Sequence, residues 1–247
     1  MSSYLNFAKY YDKLMNEDIN YEKIADFIEN VFCEHNLNPK IICDLACGTG
    51  NITLPLAKRG YEMIAIDKSV QMLNEASKKA HKENLDILFL NQSITKLDLY
   101  GTCDAFLCMI DGINYVLTPS SLIEMFSKIK QCFLNPGGVL IFDISTEYKL
   151  SKVIGNNTFI YDSKDIFYSW ENKYYSDKKI CDMYLNFFIE KKHTYKRFSE
   201  HHLQRAYSVE EIKYALIKAG FSNIKTCDDF TLEKPNDNSH RITFVAI

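Results

Sequence analysis

Apolar positions along this chain follow two rhythms, and the boundary between the rhythms organises it. Tyr21, Ile24, Ala25, Phe27, Ile28 and Val31 recur at helical spacing. Tyr4, Phe7, Ala8, Tyr11 and Met15 do the same, so residues 4–34 read as two helices parted at Asp18-Ile19-Asn20 and closed off by Pro39. Short apolar runs then alternate with amphipathic stretches. Lys40–Asp44, Tyr61–Ile66, Ile87–Leu90, Ala105–Ile110 and Val139–Ile144 read as strands. Helices are predicted from Asn51, over Ser69–Glu83 and over Pro119–Leu134, with a turn at Pro136-Gly137-Gly138. Strands separated by helices require right-handed crossovers, which give a parallel sheet covered on both faces.

From Thr146 to Tyr207 the rhythm changes. Helical spacing disappears and aromatics crowd into short runs: Phe159–Tyr161, Ile166–Trp170, Met183–Ile189 and His193–Phe198. Asn156-Asn157, Ser176-Asp177-Lys178 and Lys191-Lys192 read as turns between them, which makes an antiparallel meander inserted into the main fold. The first rhythm then returns. Ser208 ahead of Glu210-Glu211 is an N-cap with first-turn acids, and Ala219-Gly220 ends that helix. Phe221–Thr231 and Arg241–Ile247 are left as a final antiparallel pair at the sheet edge. The chain therefore divides into 1–145 with 208–247 as one domain and 146–207 as an inserted β subdomain.

The chemistry concentrates at one turn. Ile41-Ile42-Cys43-Asp44-Leu45-Ala46-Cys47-Gly48-Thr49-Gly50 is an apolar run that ends in an acid and a glycine-rich loop, followed by a helical pattern. Glycines there let the backbone turn tightly and let a ligand approach it. The spacing lacks the third glycine of a dinucleotide fingerprint and the lysine of a P-loop. An acid separated by three residues from Gly-x-Gly suits a ligand with a positively charged end better than a pyrophosphate.

Composition narrows the partners. The chain has 247 residues and a net charge of −3, which gives no polyanion-binding signature, so a nucleic-acid partner is not expected. No apolar stretch is long enough to span a bilayer. The first residues lack the charged-then-apolar layout of a signal peptide. Of the 8 cysteines, Cys43, Cys103, Cys108, Cys132 and Cys181 sit in apolar runs and are expected to be buried thiols. No Cys-x-x-Cys occurs, so no metal site is expected and a reducing cytoplasm is the expected location.

The motif Asp44-Leu45-Ala46-Cys47-Gly48-Thr49-Gly50, with a following strand that ends in Asp67, resembles the first motif of class I S-adenosylmethionine-dependent methyltransferases. The resemblance runs over most of 38–145 and 208–247. It implies an α/β, doubly wound Rossmann-like fold: a seven-stranded, mostly parallel sheet with an antiparallel last strand, plus the inserted antiparallel β subdomain. It also implies S-adenosylmethionine as cofactor and a methyl acceptor as substrate. The segment Phe7–Met15 resembles the lid helix of a branch that acts on small molecules, including sugar amine N-methyltransferases. The inserted aromatic sheet and Arg205-Ala206-Tyr207-Ser208 fit that branch. A homodimer is left open.

Site residues follow from the same resemblance. Asp44, Ala46, Gly48 and Gly50 would hold the methionine end of the cofactor. Asp67, followed by Lys68, would accept hydrogen bonds from the ribose diol. Met72 either lies on the adenine or packs in the core. The acid that the family often places on the adenine is replaced here by Ser93, beside Gln92 and Ile94. Met109 and Asp111 follow the fourth strand; Asp111 reads as a cofactor contact, an acceptor contact or a loop cap. Tyr11 reads as a lid contact to the cofactor carboxylate, and Tyr4 as core or lid. Asn114, Tyr115, Tyr168, Trp170, Tyr184 and Arg205 are candidates for the substrate pocket. His201-His202 offers a base or a solvent-facing strand end; no catalytic residue is named. Two rival readings stay open: a nucleotide-dependent oxidoreductase, and a non-enzymatic cofactor-binding or partner protein.

Overall fold

A computed structural model describes residues 8–15, 19–191 and 194–247. Tyr4 and His193 lie outside the described residues. Strand β1 (Ile41–Leu45) is buried along almost its whole length, as a strand with helices on both sides must be. It pairs in parallel with β2 (Glu62–Asp67) on one side and β4 (Cys103–Cys108) on the other. β3 (Ile87–Asn91) continues beyond β2, and β5 (Leu134–Ser145) lies beyond β4. β11 (Arg241–Ala246) runs antiparallel to β5 and to β10 (Ile224–Asp228) at the edge. The seven-stranded order is β10-β11-β5-β4-β1-β2-β3. Strand order reverses between β1 and β4, and the crevice above their carboxyl ends is where such sheets bind ligands.

Two apolar layers cover the sheet. One packs α5 (Pro119–Lys128) and α6 (Val209–Ala219) on Phe106, Phe142 and Phe244. The other packs α2 (Tyr21–Glu34) on Ile42, Leu107 and Ile141. Side chains cap three helix starts, including the N-cap predicted at Ser208. Asn20 accepts the Lys23 N–H and Ser69 the Met72 N–H at the start of α4 (Val70–Lys82), while Ser208 and Glu211 form a full capping box. α1 (Ala8–Met15) and the short α3 (Thr53–Lys58) complete the helices of this domain.

The insertion is a second sheet of four strands in the order β6-β7-β8-β9: Thr158–Asp162, Ile166–Tyr175, Ile180–Lys191 and Thr194–Arg205. All its pairings are antiparallel. Its apolar face carries Ile166, Phe187, Ile189 and Phe198 onto Ala8 of α1 and Met72 of α4. A bridge between Thr146 and Tyr207 closes its two ends together.

Several boundaries differ from expectation. The helix predicted to reach Leu134 ends at Lys128; a wide turn follows over Ile129–Phe133, and Leu134 already pairs with Cys103. Pro136 disfavours helix at the residue before it, so the chain becomes extended there. β4 starts at Cys103 and stops at Cys108, because Ile110 and Asp111 turn into left-handed backbone. Cys132 is exposed, whereas Cys43, Cys103, Cys108 and Cys181 are buried as expected. The sheet-edge strand shrinks from Phe221–Thr231 to Ile224–Asp228.

Candidate active site

The glycine loop is built from alternating left-handed residues: Ala46 at φ +55°, Gly48 at +57° and Gly50 at +79°. Its two glycines have different reasons. A Cβ on Gly48 would meet nothing within 4 Å, so its bare face looks into open space. A Cβ on Gly50 would lie 2.6 Å from a Leu54 methyl and 3.2 Å from the Ala76 methyl, so Gly50 lets the loop pack on the helices behind it. Asp67 ties the loop to β2. Its carboxylate accepts the Gly48 N–H at 2.9 Å and the Ser69 N–H at 2.7 Å. Burial raises its pKa, and these N–H donors oppose that shift.

Two cavities open above the carboxyl ends of β1, β2 and β4. The larger, about 160 Å³, is lined by Tyr11, Ala46, Gly48, Asp67, Lys68, Met72, Ser93, Ile94 and Tyr115 from the expected set. The smaller, about 50 Å³, is lined by Tyr11, Asp44, Ala46, Gly48 and Met109 from that set. Tyr11, Ala46, Gly48 and Ile110 belong to both, so the two are neighbouring compartments of one cleft. Asp44 is 2% exposed and accepts the Thr53 hydroxyl at 2.5 Å; burial pushes its carboxyl up to about 7. Ser93 caps the short turn after β3 by accepting the Thr95 N–H.

The roof comes from outside the sheet. Tyr11 stands on α1, which Asp12 fastens to the loop: its carboxylate accepts Thr49 Oγ1 at 2.6 Å, Asn51 Nδ2 at 2.9 Å and Lys79 Nζ at 2.7 Å. Burial works against the Asp12 charge, but Lys79 and the two other donors bring its pKa down. From the inserted sheet, His202 reaches Tyr115: Nδ1 lies 3.3 Å from the phenol oxygen. Burial, then Lys68 and His201, depress the His202 pKa to about 4, so its ring is neutral at pH 7. Lys68 Nζ sits 5.3 Å from the Tyr115 ring centre.

Other expected residues lie elsewhere. Asp111 lines neither cavity; its carboxylate is 2.7 Å from Arg241 Nη1. Asn114 is fully buried and ties Ser145 to the Arg205 carbonyl. Arg205 pairs with Glu211 and covers the Tyr207 ring. Trp170 packs on Phe159, and Tyr184 is half-exposed and stacked on His201 at 4.2 Å. Tyr168 stacks on Tyr161 and packs at a tilt against Phe187 within the insertion. Of the substrate-pocket candidates, the cleft brings in Tyr115.

Sequence reasoning passed over Tyr21 and Ile52 in the smaller cavity and Ile110, Gly112 and Val116 in the larger or shared walls. It also passed over His202 as an inward-facing group and Arg241 as a buried cation. Strand alternation could have separated His201 from His202 once the facing residue was known; nothing local marks Arg241.

Comparison with known proteins fits this geometry. A family described as a methyltransferase domain matches residues 42–138, which span β1 to the start of β5. The chain is 35% identical over 244 residues to "Putative methyltransferase YqeM" of Bacillus subtilis (strain 168), covering 98% of this chain and 96% of that one. A solved S-adenosylmethionine-dependent methyltransferase from Clostridium acetobutylicum superposes with a TM-score of 0.90 at 38% identity, over 98% of both chains. The sugar N-methyltransferase KedS8 from Streptoalloteichus shares the fold, with a TM-score of 0.77 at 18% identity over 96% of this chain and 92% of that one. The doubly wound sheet and its glycine loop define a nucleotide-cofactor enzyme. The chain belongs to the class I S-adenosylmethionine-dependent methyltransferases and uses S-adenosylmethionine as cofactor. This sets aside the oxidoreductase and non-enzymatic readings.

Proposed function

We propose that the enzyme transfers a methyl group to an amine or hydroxyl of a small molecule, in the cleft formed by the two cavities. The observation that carries this reading is the roof. Tyr11 of α1 lines both cavities, and α1 packs with the inserted sheet on Met72. A covered cleft suits a small acceptor better than a polymer. Among the described residues no helix is long and apolar enough to cross a membrane.

The chain's own groups suit the cofactor. The open face of Gly48 leaves room for a ligand against the backbone. Asp67 keeps lone pairs beyond its two N–H bonds, and a carboxylate accepts from both hydroxyls of a ribose diol. Met72 supplies a polarizable face beside Ile94 and Val116 for an adenine. Asp44, Tyr11 and Tyr21 supply the polar lining of the smaller compartment, fitted to an amino-acid end. Bound S-adenosylmethionine supplies an electrophilic methyl on a sulfonium. The protein's task is then alignment, worth roughly 7–11 kcal/mol in favourable cases. Tyrosine faces suit a cation that loses its charge on transfer. Residues 146–207 serve in this reading as the acceptor cover.

The test begins with calorimetric titration by S-adenosylmethionine, S-adenosylhomocysteine and NADH. A panel of small amines, amino sugars and phenols is then offered with methyl-labelled cofactor. Labelled low-mass product supports the proposal. Label that appears only in protein or nucleic acid overturns it.

A further inference from the structure

The turn after β4 puts Ile110 into the wall shared by the two cavities, beside Tyr11, Ala46 and Gly48, and it is an uncomfortable piece of backbone. Ile110 and Asp111 are consecutive left-handed residues, at φ +59° and +65°. A β-branched side chain is a genuine outlier there, and such residues persist only where surrounding structure holds them. Asp143 of β5, fully buried, does the holding: its carboxylate accepts the Ile110 N–H at 2.5 Å and the Asp111 N–H at 3.0 Å. From the other side the turn presses on the glycine loop. A Cβ on Gly112 would lie 2.5 Å from Cys108 Sγ and 3.3 Å from the Ala46 methyl.

A buried carboxylate needs a counter-charge, and so does its neighbour Asp111. One residue serves both. Arg241, the first residue of β11, donates from Nη1 to Asp143 and to Asp111, the latter at 2.7 Å. Its Nε lies 3.3 Å from Asp229, and its guanidinium covers the Phe230 ring at 5.2 Å. The arginine side chain is 12% exposed. Lys149, 3.9 Å from Asp111, is the other cation in reach.

We infer that Asp143 and Arg241 are positioning residues of the methyl-transfer site: together they hold the strained Ile110–Asp111 turn in the shape that places Ile110 in the common wall of the two cofactor compartments. This rests on the reading of the cleft as the cofactor site. The two residues touch no substrate; they act through the turn.

The test uses the full chain and S-adenosylhomocysteine in calorimetric titration, with melting curves to verify folding. Asp67→Ala is the control for the cleft itself. Arg241→Leu should weaken binding at least about tenfold while a cooperative melt survives. Arg241→Lys keeps the charge without the fork, and a loss of about three- to tenfold is expected. Asp111→Gly in the Arg241→Leu background removes one of the two acids that lose the guanidinium, leaves Asp143 to hold the turn N–H groups, and supplies a residue at ease in left-handed backbone. It should bring affinity back to within about threefold of the parent. A role confined to stability would move the melting temperature and leave the affinity of the folded protein alone. Should Arg241→Leu fail to fold, Arg241→Lys decides. Parental affinity in either folded single variant, or no recovery in a folded double variant, overturns the inference. If Asp67→Ala also binds as the parent does, the cleft assignment falls with it; if Asp67→Ala alone loses affinity, only the positioning role falls.

Discussion

The two sheets bury their side chains in different ways. In the seven-stranded sheet, β5 is buried on both faces from Gly138's neighbour Val139 through Ser145, because helices cover each side. In the four-stranded sheet, burial alternates: in β9, Phe198, Glu200, His202 and Gln204 point in, while Arg197, Ser199 and His201 are exposed and Leu203 and Arg205 are half-buried. Continuous burial makes a rigid platform whose ligand crevice is set by topology. Alternating burial gives a sheet with one inner and one outer face, and in the proposed function its inner face covers the cleft. His201 and His202 show the difference within one dipeptide. His201 lies outside, stacked on Tyr184 and 2.6 Å from Asp182, whereas His202 lies inside against Tyr115.

A change of pH should strain the two sheets in opposite directions over one window, about pH 4 to 7. Asp44 of the platform titrates at about 7, above the value near 3.9 of an unfolded aspartate. The folded chain therefore holds that proton more tightly, and the stability it confers is full at low pH and is lost as pH rises through about 7. His202 of the cover titrates at about 4, below the unfolded value near 6.5. Here the unfolded chain takes the proton first, so stability present above about 6.5 is lost as pH falls through about 4. Each effect is on the order of 3–4 kcal/mol at full extent. Asp44→Asn should leave the His202 effect unopposed, so the melting temperature should rise more steeply with pH between about 4 and 7 than in the parent. His202→Gln should leave the Asp44 effect unopposed, so the melting temperature should fall with rising pH over the same range. Two variants with profiles parallel to the parent would erase this contrast.

Cofactor affinity separates platform from cover more finely. Asp67→Ala removes a charged acceptor from the platform and should cost roughly 1.5–3 kcal/mol of S-adenosylhomocysteine binding, with the sheet still folded. Unchanged affinity would take Asp67 out of the ribose role. Asp12→Ala cuts the tie between α1 and the loop. It should speed S-adenosylhomocysteine release by about three- to tenfold in stopped-flow, because an ion pair with partial exposure is worth about 1 kcal/mol. An unchanged release rate would mean that α1 is held by its apolar contacts alone. The smallest effect is expected at Ser93. Asp at this position still caps the Thr95 N–H and adds a charged acceptor, so Ser93→Asp should tighten binding by about two- to fivefold. No gain in a folded variant would mean that the adenine amino group is not met at Ser93.

Sequence alone determined the platform. Apolar runs, caps and the glycine loop are local signals, because each depends on residues within one strand, one turn or one helix end. They sufficed for the doubly wound sheet and for the residues from Asp44 to Ile94 that line the cleft. They also carried the insertion as an antiparallel meander. Tertiary structure decided which face of that meander looks inward, since a period-two pattern rich in aromatics on both sides does not name its own inside. It decided that Asn114, Trp170 and Arg205 serve packing and connection while His202 meets Tyr115. It also decided the fate of Asp111, which local reading left between a ligand contact and a loop cap and which folding pairs with Arg241. These two residues lie 130 positions apart, and a buried charge finds its partner through space rather than along the chain.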